Sequence, residues 1–384
     1  MSQTEQPITA LPSPPRRTRA DLGQPQPLPA PGLRIAVTRT DRPAPHPAPE
    51  TLRFGEVFTD HMFLLRHTEQ AGWSDARLVP HGPLSFSPAA AGLHYGQAMF
   101  EGLKAVRGPD DQARLFRLEA HCHRMAKGAP RLCIPSLPAA TMREAILAFC
   151  RLERDWVPAG AGTALYLRPA IVATEPFLGV RPAKEYLFFI IASPVGPYFD
   201  RGAPLRLRVE DRYTRAATGG LGAVKAAANY AASLRAAEEA KAAGYAQVLW
   251  TDARHHSAIE EAGTMNVFVK IGDEVATPPL SGTLLAGVTR DATLTLLGRW
   301  GIPVRERRVT MEEILEAKRT GRLEEMWGTG TGANISPIGE LGWKRERIVV
   351  GDGGQGVLSR RLLSALREIQ AGVAPDPDGW TTVV

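Results

Sequence analysis

The spacing of hydrophobic and polar residues changes in a regular way from Leu52 onwards and predicts strands interleaved with helices. Segments rich in aromatic and β-branched residues predict strands over 52–68, 164–174, 186–195, 205–210 and 247–252, and a hairpin that turns at 272–273. Helical spacing of apolar residues predicts helices over 119–129, 141–153, 227–243, 290–300, 311–318 and 356–371. Because the two kinds of element alternate, the predicted fold class is α/β, in the mixed α+β sense.

The chain is predicted to contain two domains, because 384 residues exceed one typical core. Residues 1–49 are crowded with proline and predict a disordered extension. A small α/β domain is predicted over 50–195 and a large domain over 205–384, joined by a turn-rich linker at 196–204.

Composition and charge exclude several classes of function. Hydrophobic residues make up 44% and charged residues 22% of the chain, as in soluble globular proteins. No apolar segment is long enough to cross a bilayer, and the net charge of +6 is not clustered as a nucleic-acid site requires. Three cysteines without a CxxC spacing indicate neither a disulfide framework nor a metal site, and they favour a reducing, cytoplasmic location.

Lys225 is the residue whose surroundings most favour chemistry. It lies in TGGLGAVKAAANY, residues 218–230, with glycines before it and a predicted alanine-rich helix after it. The chain has only eight lysines against thirty-eight arginines, so a lysine here indicates a need for an amine rather than for charge. Most lysines are solvated surface charges, which is the alternative for this one. A buried lysine that loses its proton is a nucleophile that can form a Schiff base.

A pair of carboxylates, Glu260 and Glu261, precedes a glycine and a predicted strand in SAIEEAGTMNVFV. An acidic turn at the entry to a strand is the simpler interpretation of such a pair. A pyridinium nitrogen, however, needs an ionised carboxylate to hold its proton. Lysine and carboxylate together are the minimal set of groups for pyridoxal phosphate chemistry.

Three features are candidates for binding a phosphate. GTGTGAN (328–334) is a glycine- and threonine-rich loop, LAGVTRDA (285–292) leads into a helix whose first amides favour an anion, and Arg124 carries a fork-shaped guanidinium. Each is a weak signal alone. GDGGQG (351–356) fits a dinucleotide-binding pattern, but only one helix follows it, so it is interpreted as a turn into that helix.

Seven segments of the chain resemble the branched-chain amino-acid aminotransferases, which are pyridoxal phosphate enzymes of fold type IV. They are FGEVFTDHM, LHYGQAMFEGLKA, GTALYLRPAIVATEP, SPVGPYF, VKAAANYAASLRAAEEAKAAGYAQVLW, EEAGTMNVFV and GTGTGANISPIG. The resemblance extends over 52–368 in the same order and leaves the proline-rich segment outside. It implies a small N-terminal α/β domain and a larger domain with a mixed, barrel-like sheet.

The resemblance also implies a role for individual residues. Lys225 matches the Schiff-base lysine, Glu261 the partner of the pyridine nitrogen, and Tyr230 the tyrosine near the phenolic oxygen of the ring. The residues implied at the phosphate are Arg124, Val288, Thr289 and Thr331. The residues implied around the substrate are Phe54, Tyr95, Phe100, Tyr166, Arg168 and Tyr198, with Thr264 and Gly332 near its α-carboxylate.

The implied activity is transamination of L-leucine, L-isoleucine and L-valine with 2-oxoglutarate, with pyridoxal 5'-phosphate as cofactor and at least a homodimer as assembly. The alternatives are D-amino-acid transamination or aminodeoxychorismate lyase chemistry on the same fold, or a protein that binds the cofactor without turnover. One departure concerns the animal enzymes, which carry a CxxC pair where this chain has Ala333 and Ser336. The redox switch of those enzymes is therefore expected to be absent.

Overall fold

Two mixed β-sheets of nine strands each form the framework of the protein in the computed structural model, which describes residues 32–196 and 203–384. The strands are β1 (Ala36–Val37), β2 (His61–Thr68), β3 (Gly72–Pro80), β4 (Ala98–Phe100), β5 (Leu103–Arg107), β6 (Ala113–Phe116), β7 (Ala164–Ala173), β8 (Tyr186–Val195), β9 (Leu205–Val209), β10 (Gln247–Thr251), β11 (Ile259–Ala262), β12 (Met265–Ile271), β13 (Glu274–Thr277), β14 (Val304–Glu306), β15 (Leu323–Gly330), β16 (Asn334–Trp343), β17 (Glu346–Val349) and β18 (Thr381–Val383).

Helices cover these sheets. The α-helices are α1 (Ala91–Tyr95), α2 (Leu118–Gly128), α3 (Ala139–Leu152), α4 (Ala227–Ala242), α5 (Val288–Arg299), α6 (Met311–Arg319) and α7 (Val357–Gln370), and short 3-10 helices lie at Pro49–Thr51, Ala129–Leu132 and Arg154–Trp156. No helix within the described ranges is long and apolar enough to cross a membrane.

The first sheet has the strand order β1-β3-β2-β8-β7-β5-β6-β18, with β4 paired to β7. Alternation along β7 buries Leu165, Leu167 and Ile171 in the main core, which α2 and α3 close from one side. The intervening positions, Tyr166 and Arg168, point to the opposite face of the sheet.

The second sheet closes into a barrel. Its order is β11-β10-β9-β16-β15-β12-β13-β14, and an extra pairing of β11 with β12 joins six of these strands into a ring. Branched side chains such as Leu207, Leu249 and Val267 fill the barrel without exposure. Glu261 and Asn266 face each other across β11 and β12. The barrel-like mixed sheet predicted for the large domain is thus confirmed.

Most predicted elements are found within one to three residues of their expected limits. The helices α2 to α7, the hairpin β12–β13 and the strands β7 to β10 all coincide with predicted segments. GDGGQG forms the turn into α7, as predicted. Residues 52–60, predicted as part of a strand, instead form an irregular segment before β2.

The predicted disorder of residues 1–49 is wrong for the part that is described, residues 32–49. Ala36 and Val37 pair in parallel with β3, and Leu33 and Ile35 pack against the main core. The backbone amide of Thr40 donates to His61 Nε2 at 2.9 Å. This proline-rich segment is therefore held by hydrogen bonds to acceptors in the first sheet and its helices. Residues 1–31 lie outside the described residues.

The predicted division at 196–204 falls between the two sheets, since β8 ends at Val195 and β9 begins at Leu205. Strand β18, however, returns from the C-terminus to pair with β6 of the first sheet. Residues Leu33–Val384 form one compact unit. The assignment of two domains stays a prediction.

Candidate active site

Lys225 lies two residues before α4, on a loop that is tied to the first sheet. Its carbonyl oxygen accepts from the amide of Phe100 at 3.1 Å, and Ala226 bridges to Met99. The loop needs glycine at 222, where a Cβ atom would collide with the carbonyl oxygen of Thr283. These contacts fix the backbone, so the half-buried side chain extends into the space between the two sheets.

The Lys225 amine is hydrogen-bonded to Tyr230, with 2.9 Å between Nζ and the phenolic oxygen. Burial lowers the pKa of Lys225, and the positive charge of Arg124 lowers it further. A lowered pKa increases the share of the neutral, nucleophilic amine at a given pH. The ring of Phe100 lies 5.0 Å from Nζ and contributes to the burial.

Tyr230 packs against Phe100 with 4.7 Å between ring centroids. Burial raises the pKa of Tyr230 to about 12, and the negative charge of Glu261 acts in the same direction. The phenol therefore keeps its proton throughout the physiological range. It is a neutral hydrogen-bonding partner for the amine, not a base that competes with it.

Glu261 is a buried carboxylate with three partners. Its Oε2 lies 3.2 Å from Nε of Arg215, and its Oε1 accepts from the amide of Leu285 at 2.9 Å and from Asn266 Nδ2 at 3.3 Å. Burial raises the pKa of Glu261, and the charge of Arg215 and the Leu285 amide oppose that rise. The partners fix the position of the carboxylate and offset part of the effect of burial on its pKa.

Glu260 points to the other side of β11, as consecutive strand residues do. Its Oε1 accepts from the Thr283 hydroxyl at 2.7 Å, and Oε2 has no hydrogen-bond partner among the described residues. The two neighbouring carboxylates thus occupy different environments. Only Glu261 lines the cavity around Lys225.

Arg124 is held by a carboxylate that the sequence-based reasoning did not select. Its Nε and one terminal nitrogen donate to the two oxygens of Glu101 at 2.7 and 2.8 Å, and the other terminal nitrogen donates to the carbonyl of Ala286 at 3.0 Å. Burial alone would raise the pKa of Glu101, but Arg124 and His121 hold it well below its usual range. Glu101 therefore stays ionised and orients the guanidinium.

The N-terminus of α5 lies beside both of these groups. The amide of Leu285 donates to Glu261, and the carbonyl of Ala286 accepts from Arg124. The helix begins just after them, with Val288 and Thr289 as its first residues. The first amides of a helix have no helical acceptor and favour an anion. Glycine is required at the N-cap, position 287, because a Cβ atom there would collide with the side-chain oxygen of Asn266.

A group of aromatic side chains flanks the amine on the side of the first sheet. The guanidinium of Arg168 lies over the Phe100 ring at 4.5 Å and donates to the Tyr166 hydroxyl at 3.4 Å. Phe54 packs edge-on against Tyr166 at 4.8 Å. The Nε of Arg168 is buried and has no partner among the described residues. This side of the site is therefore apolar apart from Arg168, whose Nε–H remains available as a hydrogen-bond donor.

The cavity next to Lys225 brings together four of the residues that were singled out from the sequence: Lys225, Tyr230, Glu261 and Thr264. Other residues lining it are Arg215, Gly222, Val224, Asn229, Ser233, Gly263 and Leu285. Phe100, Arg124, Tyr166 and Arg168 are linked to this group by the contacts above, and Phe54 through Tyr166.

The remaining predicted residues are placed elsewhere or lie outside the described residues. Tyr95 is exposed at the end of α1 and donates to the carbonyl of Leu178. Thr331 and Gly332 form the turn between β15 and β16, and Gly332 lines a second cavity. Tyr198 lies outside the described residues. Their predicted roles stay predictions.

Arg215, Glu101 and Asn266 are the site residues that the sequence-based reasoning missed. Glu101 and Asn266 stand inside two of the quoted segments, FEGLKA and TMNVFV, so their position next to matched residues was an available signal. Arg215 stands in an unremarkable polar segment, DRYTRAATGG, and nothing in the pattern indicates its partner. Within the described ranges no cluster of His, Cys, Asp and Glu is arranged to hold a metal ion.

Known proteins resemble this chain in both sequence and structure. The family model for amino-transferase class IV matches residues 98–341. Branched-chain-amino-acid aminotransferase 2 of Bacillus subtilis is 44% identical over 353 residues, which is 92% of this chain and 97% of that protein. The branched-chain aminotransferase of Thermoproteus uzoniensis with norvaline superposes with a TM-score of 0.70 at 25% identity, covering 84% of this chain and 99% of that one. The branched-chain amino acid aminotransferase of Escherichia coli gives a TM-score of 0.68 at 25% identity, covering 84% and 98%.

Proposed function

Because this chain belongs to the amino-transferase class IV family, we propose that it transfers the amino group of branched-chain L-amino acids to 2-oxoglutarate. The observation that carries the proposal is the presence of a half-buried amine and a buried, arginine-paired carboxylate in one cavity. Lys225 and Glu261 supply these groups. Several curated relatives that are 41–45% identical to the chain carry the name of this activity.

The residues present fit pyridoxal phosphate as the cofactor. Thr329 Oγ1 is buried without a partner among the described residues, and Thr329 pairs with Asn266 across β12 and β15, so the two side chains share a face. The unused Thr329 hydroxyl, together with Arg124 and the start of α5, suits a phosphate group. When bound, this cofactor supplies an electron-withdrawing ring that stabilises the negative charge left at Cα after deprotonation.

Lys225 is proposed both to hold the cofactor and to move the proton. Once the substrate amine has displaced Nζ, the freed amine would take the proton from Cα of the donor amino acid and, in the second half-reaction, return a proton to Cα of the product amino acid. The hydrogen bond from Nζ to Tyr230 orients the amine, and the lowered pKa of Lys225 allows the neutral form that accepts a proton. Glu261 would accept the hydrogen bond of the ring N–H, and the charge of Arg215 opposes the rise in the pKa of Glu261 that burial causes.

The substrate side chain is proposed to lie among Phe54, Phe100 and Tyr166. Leucine, isoleucine and valine offer only hydrocarbon, which aromatic rings accommodate well. Arg168 is proposed to meet the γ-carboxylate of glutamate or 2-oxoglutarate, since its Nε is buried and unused. The α-carboxylate is proposed to lie near Thr264 and Gly332.

The assembly is proposed to be at least a homodimer. The loop after β7 exposes Leu178 and Val180 at 61% and 87%, beside the exposed Leu93 and Tyr95 of α1. An exposed apolar patch of this kind is typical of an interaction surface. Light scattering of the purified protein would test this. The cytoplasmic location stays a prediction.

A coupled assay with 2-oxoglutarate across L- and D-amino acids tests the proposed activity. We expect turnover with L-leucine, L-isoleucine and L-valine and none with their D-enantiomers. Turnover with D-amino acids alone, or release of pyruvate from aminodeoxychorismate, would place the chain with another activity of the same fold. Cofactor absorbance without any turnover would indicate a binding protein.

A further inference from the structure

A second cavity, separate from the one around Lys225, lies between the first sheet and the barrel. Its volume is about 870 Å³, which is within the range of ligand sites. Residues from β5, from the turn 331–333 with the start of β16, and from α7 line it. None of its lining residues is shared with the cavity around Lys225.

Two cations face this cavity without a carboxylate partner. Lys104 is 9% exposed, and its Nζ donates to the carbonyl oxygen of Gly332. Arg367 on α7 has no hydrogen bond or ion pair from its side chain among the described residues. Burial lowers the pKa of Lys104 to about 7, and the like charge of Arg367 contributes to the shift. Arg367 is exposed, whereas the charge of the buried Lys104 is destabilising unless an anion lies beside it.

The two carboxylates that line the cavity have other partners, since Asp111 pairs with Arg107 and Glu368 accepts from the Ser364 hydroxyl at 2.7 Å. Each guanidinium nitrogen of Arg107 donates one hydrogen bond, to Asp111 or to a backbone carbonyl, and Asn334 and Gln370 pair through two amide hydrogen bonds of 3.0 Å. Ser336 is 3% exposed, and its Oγ has no partner among the described residues. A buried, unused hydroxyl thus lines the same cavity as the two cations.

We propose that this cavity binds a small aliphatic carboxylate through Arg367, Lys104 and Ser336, and that the bound anion stabilises the turn 331–333. The guanidinium suits the two oxygens of a carboxylate. Apolar residues such as Val106, Leu363 and Val373 complete the lining and favour an organic anion over an inorganic one. The ammonium of Lys104 has three N–H donors, of which one goes to Gly332 and two remain for the anion.

The expected effect on catalysis is activation. An anion that offsets the repulsion from Arg367 keeps Lys104 charged and bonded to Gly332. The turn is the element proposed to meet the substrate α-carboxylate, so this inference rests on the proposed function. Coupling between two sites typically changes affinity by about fivefold or more. Succinate, which has neither an amino nor an oxo group, should therefore lower the KM for L-leucine by about fivefold, whereas competition at the catalytic site would raise it.

Equilibrium dialysis of radiolabelled succinate against the holoenzyme tests binding directly. Saturating L-leucine and its own 2-oxo acid keep the catalytic site filled without net reaction. We expect one succinate per chain, about tenfold weaker binding in Arg367→Met, and a smaller loss in Ser336→Ala. Arg361→Met is the matched control. It removes a positive charge from the same helix, where Arg361 lies over the ring of Trp300, and this variant should bind succinate as the wild type does.

Two results would overturn the inference: no succinate bound while the catalytic site is filled, or binding by Arg367→Met that equals binding by Arg361→Met. An unchanged or raised KM for L-leucine with succinate bound would overturn the claim that the bound anion activates the enzyme. If the chain proved inactive as a transaminase, the comparison of the two arginine variants in dialysis would still decide whether the anion site exists.

Discussion

Arg215 Nε lies 3.2 Å from Glu261 Oε2, and both side chains are less than a tenth exposed. A buried carboxylate on its own tends to protonate, whereas one beside a fixed guanidinium stays ionised. Arg215 is itself positioned by donating to the carbonyl of Thr283. Burial raises the pKa of Glu261, and the charge of Arg215 opposes that rise at the place where the ring nitrogen of the cofactor is expected.

Replacing Arg215 with methionine should raise the pKa of Glu261 further. The ionised form of Glu261 is present above its pKa and lost as pH falls through it. The acid limb of the pH profile of kcat/KM should therefore move to higher pH, and kcat at neutral pH should fall about tenfold, the equivalent of about 1.4 kcal/mol. Steady-state rates across pH measure both effects.

Arg212→Met is the matched control, because Arg212 pairs with Glu239, away from the cavity around Lys225. It removes the same charge three residues earlier and should leave the acid limb unchanged. An acid limb that also stays in place in Arg215→Met would show that Arg215 does not control Glu261.

The adjacent carboxylates Glu260 and Glu261 should differ sharply in their effect on activity. Glu261→Ala removes the partner of the ring nitrogen and should lower kcat on the order of a hundredfold. Glu260→Ala loses a bond to Thr283 on the opposite face and should keep a near wild-type kcat. Rates of the two purified variants at saturating substrate decide the matter. Equal losses of kcat in the two variants would contradict the prediction that only Glu261 faces the cofactor.

Arg168→Met separates the two halves of the reaction. A charge-assisted contact to the γ-carboxylate of glutamate contributes about 1.5–3 kcal/mol, and an aliphatic side chain gains nothing from it. The half-reaction with glutamate or 2-oxoglutarate should therefore slow far more than the half-reaction with leucine. Single-turnover rates followed by cofactor absorbance measure each half. Equal slowing would mean that Arg168 only supports Phe100 and Tyr166, on which it packs.

Local patterns predicted the secondary structure well because the elements around the site are nearly ideal. The alanine-rich run over 227–242 and the alternation along β7 need no distant partner to be recognised. The proline-rich segment over 33–49 was misjudged for the opposite reason. Its order depends on distant acceptors such as His61, Asp60 and Glu144, which composition cannot reveal.

Truncation tests the corrected account of that segment. A chain that begins at Leu33 retains all described contacts and should keep the melting temperature of the full chain. A chain that begins at Glu50 loses β1, three backbone hydrogen bonds to distant side chains and the packing of Leu33 and Ile35. It should melt roughly 5 °C lower. Thermal unfolding of both chains measures the difference, and identical melting temperatures would restore the original prediction.

The candidate site was predictable to the extent that its residues are carried by recognisable segments. Lys225 stands out among glycines and alanines, and the resemblance supplied Glu261 and Arg124. The ion pairs that make these residues functional were not predictable, because Arg215 and Glu101 meet their partners across 46 and 23 positions of sequence. A pairing of that kind is a property of the folded chain, and no local period or motif encodes it.

Trapping of the cofactor on one lysine tests the central claim most directly. Borohydride reduction of the holoenzyme followed by peptide mapping should place the label on Lys225. Lys225→Ala should lose the visible absorbance of the cofactor and on the order of a hundredfold or more of its turnover while still folding. Lys104 is the competing site, since burial lowers the pKa of its amine as it does that of Lys225. A label on Lys104, or on any lysine other than Lys225, would contradict the account.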